Sequence, residues 1–82
     1  MSNLYPTPTR IRLLRAIGNG EVTRHWSMRM EPSDRLDGQR VNTRMAQLQR
    51  AGWVRVPPMR LGGHVGVWEL TDAGRAILDG AK

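Results

Sequence analysis

Apolar residues in this chain switch between helical and strand spacing. Ile11, Leu14 and Ile17, joined by Leu13, recur at helical steps with arginines between them, which predicts an amphipathic helix. Thr7 suits the cap of that helix and Pro8 its first position. Gly18-Asn19-Gly20 ends it, since both residue types tolerate a left-handed backbone. From Glu21 to Met30 the period becomes two. Val22, Arg24, Trp26, Met28 and Met30 alternate with Thr23, His25, Ser27 and Arg29, which predicts a strand showing Trp26, Met28 and Met30 to a core. Pro32-Ser33-Asp34 breaks this strand, and Asp34 to Gly38 reads as a loop or a single helical turn.

A second helix is expected over about 39–51, beginning between Asp37 and Asn42, either of which can cap it. Val41, Met45 and Leu48 form its inner stripe, and Ala51-Gly52 closes it. Trp53-Val54-Arg55-Val56 is rich in strand formers and is stopped by Pro57-Pro58. With Val65 to Leu70 as the returning strand, 53–70 reads as a β-hairpin with a long, basic, glycine-bearing tip. Thr71 caps a last helix, Asp72 lies in its first turn, and Ala73, Ile77 and Leu78 supply an apolar face. The expected fold is α+β, with three helices and a small antiparallel sheet: a loose tail at 1–6 and one domain over 7–80.

Composition narrows the classes of function. The chain has 82 residues and no cysteine, which excludes a disulfide framework and thiolate metal sites. No apolar run approaches the roughly 18–20 residues that span a bilayer. The first residues lack the basic and apolar regions of a signal peptide, so a cytoplasmic protein with no membrane partner is expected. The net charge is +6, carried by twelve arginines and one lysine. Codon bias can favour arginine over lysine; it does not favour basic over acidic residues. Gly38 to Trp68, 31 residues, holds Arg40, Arg44, Arg50, Arg55 and Arg60 and no carboxylate. Such a field attracts polyanions, chiefly nucleic acid or an anionic membrane surface.

Two motifs resemble a known family. Leu48-Gln49-Arg50-Ala51-Gly52-Trp53-Val54 is similar to the junction between recognition helix and wing in bacterial winged-helix regulators. Trp68-Glu69-Leu70-Thr71-Asp72-Ala73-Gly74-Arg75 resembles the second wing strand running into the last helix. Both look like regulators of the MarR and PadR types, and the likeness covers roughly 40–78 and the first helix. It implies a winged helix-turn-helix that binds double-stranded DNA sequence-specifically as a transcriptional regulator, with the 39–51 helix in the major groove and the 57–64 wing of the hairpin on the backbone or minor groove. The chain departs from the pattern over 23–38, where Met30-Glu31-Pro32-Ser33 and Asp37-Gly38 replace the family's regular second helix. It also lacks the long flanking helices with which MarR-type proteins dimerise and build ligand pockets, so no small-molecule effector pocket is expected.

The outer side of the expected second helix carries the candidate chemistry. At about 100° per residue, Gln39, Thr43, Ala46, Gln47 and Arg50 point away from the inner stripe, with Arg40, Asn42 and Arg44 on the flanks. Amides, a hydroxyl and guanidinium groups are the types that pair with base edges and phosphates, and Ala46 permits close approach. A merely solvated face would usually mix signs and favour glutamate and lysine. At the hairpin tip, Arg60 and His64 flank Leu61-Gly62-Gly63, which suits contact with a phosphate or a minor groove, or simply a flexible tip. Trp26, Trp53 and Trp68 read as core residues rather than stacking platforms.

His25 and His64 are far apart, with no ligand spacing around them, so neither metal nor general-base chemistry is expected. No nucleophile motif, phosphate loop or dinucleotide fingerprint occurs, and no enzyme activity or cofactor is expected. The DNA-binding set is Gln39, Arg40, Asn42, Thr43, Arg44, Gln47, Arg50, Arg60 and His64, with double-stranded DNA as partner. Arg10, Arg12 or Arg15 could add phosphate contacts. A monomer this small reads few base pairs, so a homodimer on DNA is one way to lengthen the site. The alternative is a winged-helix interaction module whose basic face meets an acidic protein.

Overall fold

The first helix, α1 (Pro8–Gly18), begins where Thr7 Oγ1 accepts the Arg10 N–H at 3.3 Å, and Pro8 fills its first turn. It ends in a Schellman motif. Gly20, at φ 77°, donates to the Ile17 carbonyl and Glu21 donates to that of Ala16. Leu13, Leu14 and Ile17 are buried, and Ile11 is partly so. The computed structural model describes residues 4–26, 31–58 and 64–81. It is an α+β fold of three helices with small antiparallel sheets. Leu4 already packs against the core, and the Tyr5 carbonyl accepts the Thr7 N–H.

Strand β1 (Thr23–His25) falls within the expected strand but is shorter. Val22 before it is fully buried and Trp26 after it is half-buried; Met28 and Met30, expected on the same face, lie outside the described residues. The segment expected as a loop or helical turn is instead β2 (Ser33–Leu36), followed by β3 (Gln39–Arg40). Asp37 at φ 51° and Gly38 at φ 77° make the two-residue connection between them. Two successive left-handed residues match the twist of a tight hairpin, which is why Asp-Gly suits this turn. Asp37 is therefore a turn residue and not a helix cap. Among the described residues no helix stands between α1 and the next helix, α2 (Asn42–Arg50).

Sheet order is β3-β2-β1-β5, where β5 is Val65–Val67. This corrects the simple hairpin expected over 53–70. Among the described residues the outgoing strand β4 (Val54–Arg55) pairs only with β6 (Glu69–Leu70), through Val54 with Leu70 and Arg55 with Glu69. The returning chain at β5 pairs instead with β1, His25 facing Val65 and Thr23 facing Val67. Gly66 permits that crossing: a Cβ there would lie 2.7 Å from Pro57 Cβ and 2.8 Å from Trp26 Cη2.

The last helix, α3 (Asp72–Gly80), is capped by Thr71, whose Oγ1 accepts the Gly74 N–H at 3.1 Å. Its inner side is Gly74, Ile77 and Leu78; Ala73, expected there, is exposed. Gly74 takes the inner place because α3 rests directly on the backbone of Trp53, leaving no room for a side chain. Trp53 and Trp68 are buried in the core with Val41, Met45 and Leu48.

Among the described residues, one charged side chain lies fully buried beside this core. Asp34 is fully buried, and its carboxylate accepts from Arg24 Nε at 2.7 Å, Arg24 Nη2 at 3.0 Å and Trp68 Nε1 at 2.9 Å. Arg24 and Asp34 face each other across β1 and β2, and the guanidinium lies 4.8 Å from the centroid of the Trp68 ring. Charge and hydrogen-bond demand are thus met together, the condition for tolerating a buried ion pair. No helix of the described residues is long and apolar enough to cross a membrane.

Candidate nucleic-acid interface

Helix α2 is fixed at both ends by its own sequence. Asn42 opens it without capping it. Its Oδ1 accepts the Asp34 N–H at 2.9 Å and Arg40 Nε at 3.1 Å, and its Nδ2 donates to the Pro32 carbonyl at 2.8 Å. These bonds fasten the start of α2 to β2, whose side chain Asp34 is anchored in the core. At the other end Gly52, at φ 81°, donates to the Gln49 carbonyl and Trp53 donates to that of Leu48, a second Schellman motif. Val41, Met45 and Leu48 are buried, so the rotation of the helix about its axis is set.

The opposite side is exposed. Thr43, Arg44, Ala46, Gln47, Gln49 and Arg50 all face solvent, and no residue of α2 carries a carboxylate. Thr43, Ala46, Gln47 and Arg50 make the outward ridge, while Arg44 lies on the flank toward α1. Polar groups without acidic neighbours favour approach of an anion and disfavour an acid-rich surface.

The expected DNA-binding residues divide among several places. Thr43, Arg44, Gln47 and Arg50 share the exposed side of α2. Gln39 and Arg40 are exposed on β3, not in the helix, because the Asp37-Gly38 turn sends the chain back as a strand before α2 begins. Arg40 stays beside α2 through its bond to Asn42. Asn42 belongs to the framework: its amide is engaged with β2 and with the Pro32 carbonyl. His64 is exposed just before β5, with its carbonyl accepting the Trp26 N–H at 2.9 Å. Arg60 lies outside the described residues, as does the Leu61-Gly62-Gly63 tip.

Sequence reasoning missed two features. The Arg24–Asp34 pair turns one arginine inward, where Asp34 neutralises it; the signal was the inward parity of Arg24 in its strand. Further, Arg55 faces Glu69 across β4 and β6, so the long acid-free stretch acquires an acidic neighbour from beyond its end. Among the described residues, exposed arginines without a carboxylate in their own element remain on α2, with Arg40 on β3 and Arg12 and Arg15 on α1.

Two open clefts flank these elements. One, of about 220 Å³, lies between the first turns of α1 and the side of α2, with Thr9, Arg10, Arg44 and Gln47 on its walls. The other, of about 330 Å³, is bordered by His25, Trp26, Ser33, Arg35 and Arg40 together with the carboxylate of Glu31. His25 Nε2 lies 3.1 Å from Thr23 Oγ1. Among the described residues no three His, Asp or Glu side chains gather as a metal site would require. Neither a family model, nor a curated protein, nor a solved structure matches this chain.

Proposed function

We propose that this chain is a sequence-specific double-stranded DNA-binding protein of the winged-helix type, serving as a transcriptional regulator in the cytoplasm. In this reading α2 enters the major groove and the segment between β4 and β5 is the wing. The β2-β3 hairpin takes the place of the helix that ordinarily precedes the recognition helix. The observation that carries the reading is the exposed side of α2. It presents an amide, a hydroxyl and guanidinium groups with no carboxylate, on a helix whose rotation is fixed by buried Met45 and Leu48. Gln47 can bond adenine through two atoms, and Arg50 can bond guanine the same way. The likeness of 48–54 and 68–75 to MarR- and PadR-type regulators supports the same assignment.

Fluorescence anisotropy with a random duplex pool, followed by selection of the bound fraction, tests it. Binding at low salt with enrichment of particular sequences is expected. An absence of binding, or binding with no enrichment after repeated selection, overturns it. Binding to an acidic protein that duplex DNA does not displace would point to an interaction module instead.

A further inference from the structure

We propose that the cleft between α1 and α2 clamps a single backbone phosphate of duplex DNA and so fixes where α2 sits along the groove; the proposal rests on the DNA-binding reading above. The cleft joins residues far apart in sequence. Thr9 and Arg10 come from the first turn of α1, and Arg44 and Gln47 from the middle of α2. Buried Leu13 and Leu48 form its floor. The lining has two guanidinium groups, hydroxyls and an amide, and no carboxylate. Two like charges on separate helices repel across the gap, and an anion between them relieves that repulsion. An apolar floor lowers the local dielectric and strengthens an ion contact made above it.

Arg10 is already positioned. It is half-buried, and its Nη1 donates to the Tyr5 carbonyl at 2.8 Å, which holds the guanidinium in place and leaves its other N–H groups for an anion. The cleft also selects among the arginines of α1. With Leu14 and Ile17 turned to the core, Thr9 and Leu13 fall on the side facing α2, whereas exposed Arg15 falls on the far side. Arg44 occupies the matching flank of α2, next to the ridge of Thr43, Gln47 and Arg50. A helix lying in the major groove has phosphates along both walls, and contacts to them set its register. The cleft stands where one such wall would meet this helix.

The test uses the intact chain and the best duplex recovered from the random pool, remade with single neutral methylphosphonates scanned along both strands. One position should weaken the wild-type chain about ten- to a hundredfold, the range of a charge-assisted contact. The same substitution should cost the Arg10→Gln/Arg44→Gln double variant almost nothing, because its partner is gone. Arg15→Gln, at an arginine of equal charge on the far side of the same helix, should keep full sensitivity. The double variant should lower the log–log salt slope by about 1, as for one phosphate, and not by 2. Arg44→Gln alone, which leaves the Arg10–Tyr5 bond intact, should reproduce part of the loss without changing the melting temperature. If the double variant and Arg15→Gln respond alike to every methylphosphonate, the charge acts diffusely; the clamp is then overturned while DNA binding stands. If the wild-type chain binds no duplex at low salt, both readings fall. The clamp falls equally if the chain instead binds vesicles of equal parts phosphatidylglycerol and phosphatidylcholine through Arg10 and Arg44.

Discussion

Gly74 and Asp34 are both buried, Gly74 against the backbone of Trp53 and Asp34 among the donors of Arg24 and Trp68. A Cβ on Gly74 would overlap the carbonyl oxygen of Trp53, an atom held by the strand and by the Thr71 N–H at 3.1 Å. Gly74→Ala should therefore cost about 3 kcal/mol or more, a severe case of overpacking. For 82 residues at roughly 0.05–0.15 kcal/mol each, that is a large part of the whole stability. Gly80 has nothing within 4 Å of such an atom, so Gly80→Ala should be neutral or add up to about 1 kcal/mol. Urea denaturation of both variants checks the contrast; equal stabilities would mean that α3 does not rest on Trp53. Asp34→Ala removes the acceptor for two Arg24 N–H groups and for the Trp68 indole. It leaves a guanidinium only partly exposed and without its partner, and should cost about 3–5 kcal/mol. A thermal melt within a degree or two of wild type would show that water replaces the carboxylate freely.

At the scale of elements, the structure separates what holds α2 from what α2 offers. Asn42 ties the helix to β2, and Gln47 stands free on its outer side. Asn42→Ala should lower stability by about 1–3 kcal/mol, the cost of orphaning buried backbone partners, and weaken all duplexes alike. Gln47→Ala should leave the melting temperature unchanged and cost about 1–3 kcal/mol on the preferred duplex, with little effect on a random one. Denaturation and anisotropy on the same two variants measure both effects. A change of base preference in Asn42→Ala, with none in Gln47→Ala, would mean that the helix is read from its other flank. The helices themselves were legible in the sequence because their signals are local. Thr7, Thr71, Gly20 and Gly52 act on residues within one turn, and Leu14, Ile17, Met45 and Leu48 mark the inner side by spacing alone. The β2-β3 hairpin carried a signal as well, the Asp37-Gly38 dipeptide. Its flanks, Ser33 to Leu36 and Gln39-Arg40, hold few strand formers, so nothing else marked them.

For the whole molecule, the expected DNA complex is governed by charge. Among the described residues, Arg24 is consumed by Asp34 and Arg55 faces Glu69, while the exposed arginines of α1, α2 and the β2-β3 hairpin are placed to meet phosphates in the proposed complex. With about 4–6 phosphates neutralised, log affinity for duplex should fall against log salt with a slope of about −4 to −5. A titration series from low to high potassium chloride measures it. A slope near zero would remove the electrostatic basis of the proposed function.

The sequence by itself determined that there are three helices, where α1 and α3 start, where α1 and α2 stop, most of the apolar positions each one buries, and that Trp53 and Trp68 belong to the core. These follow from periodicity and capping, which depend on neighbours a few residues away. Only the tertiary structure decided that β5 pairs with β1 and not with β4, that Asp34 neutralises Arg24, and that Thr9 and Arg10 share a cleft with Arg44 and Gln47. Each joins residues ten or more positions apart. Such partners are chosen by which arrangement buries the apolar faces and satisfies the buried polar groups at once, and no local pattern in the chain encodes that choice.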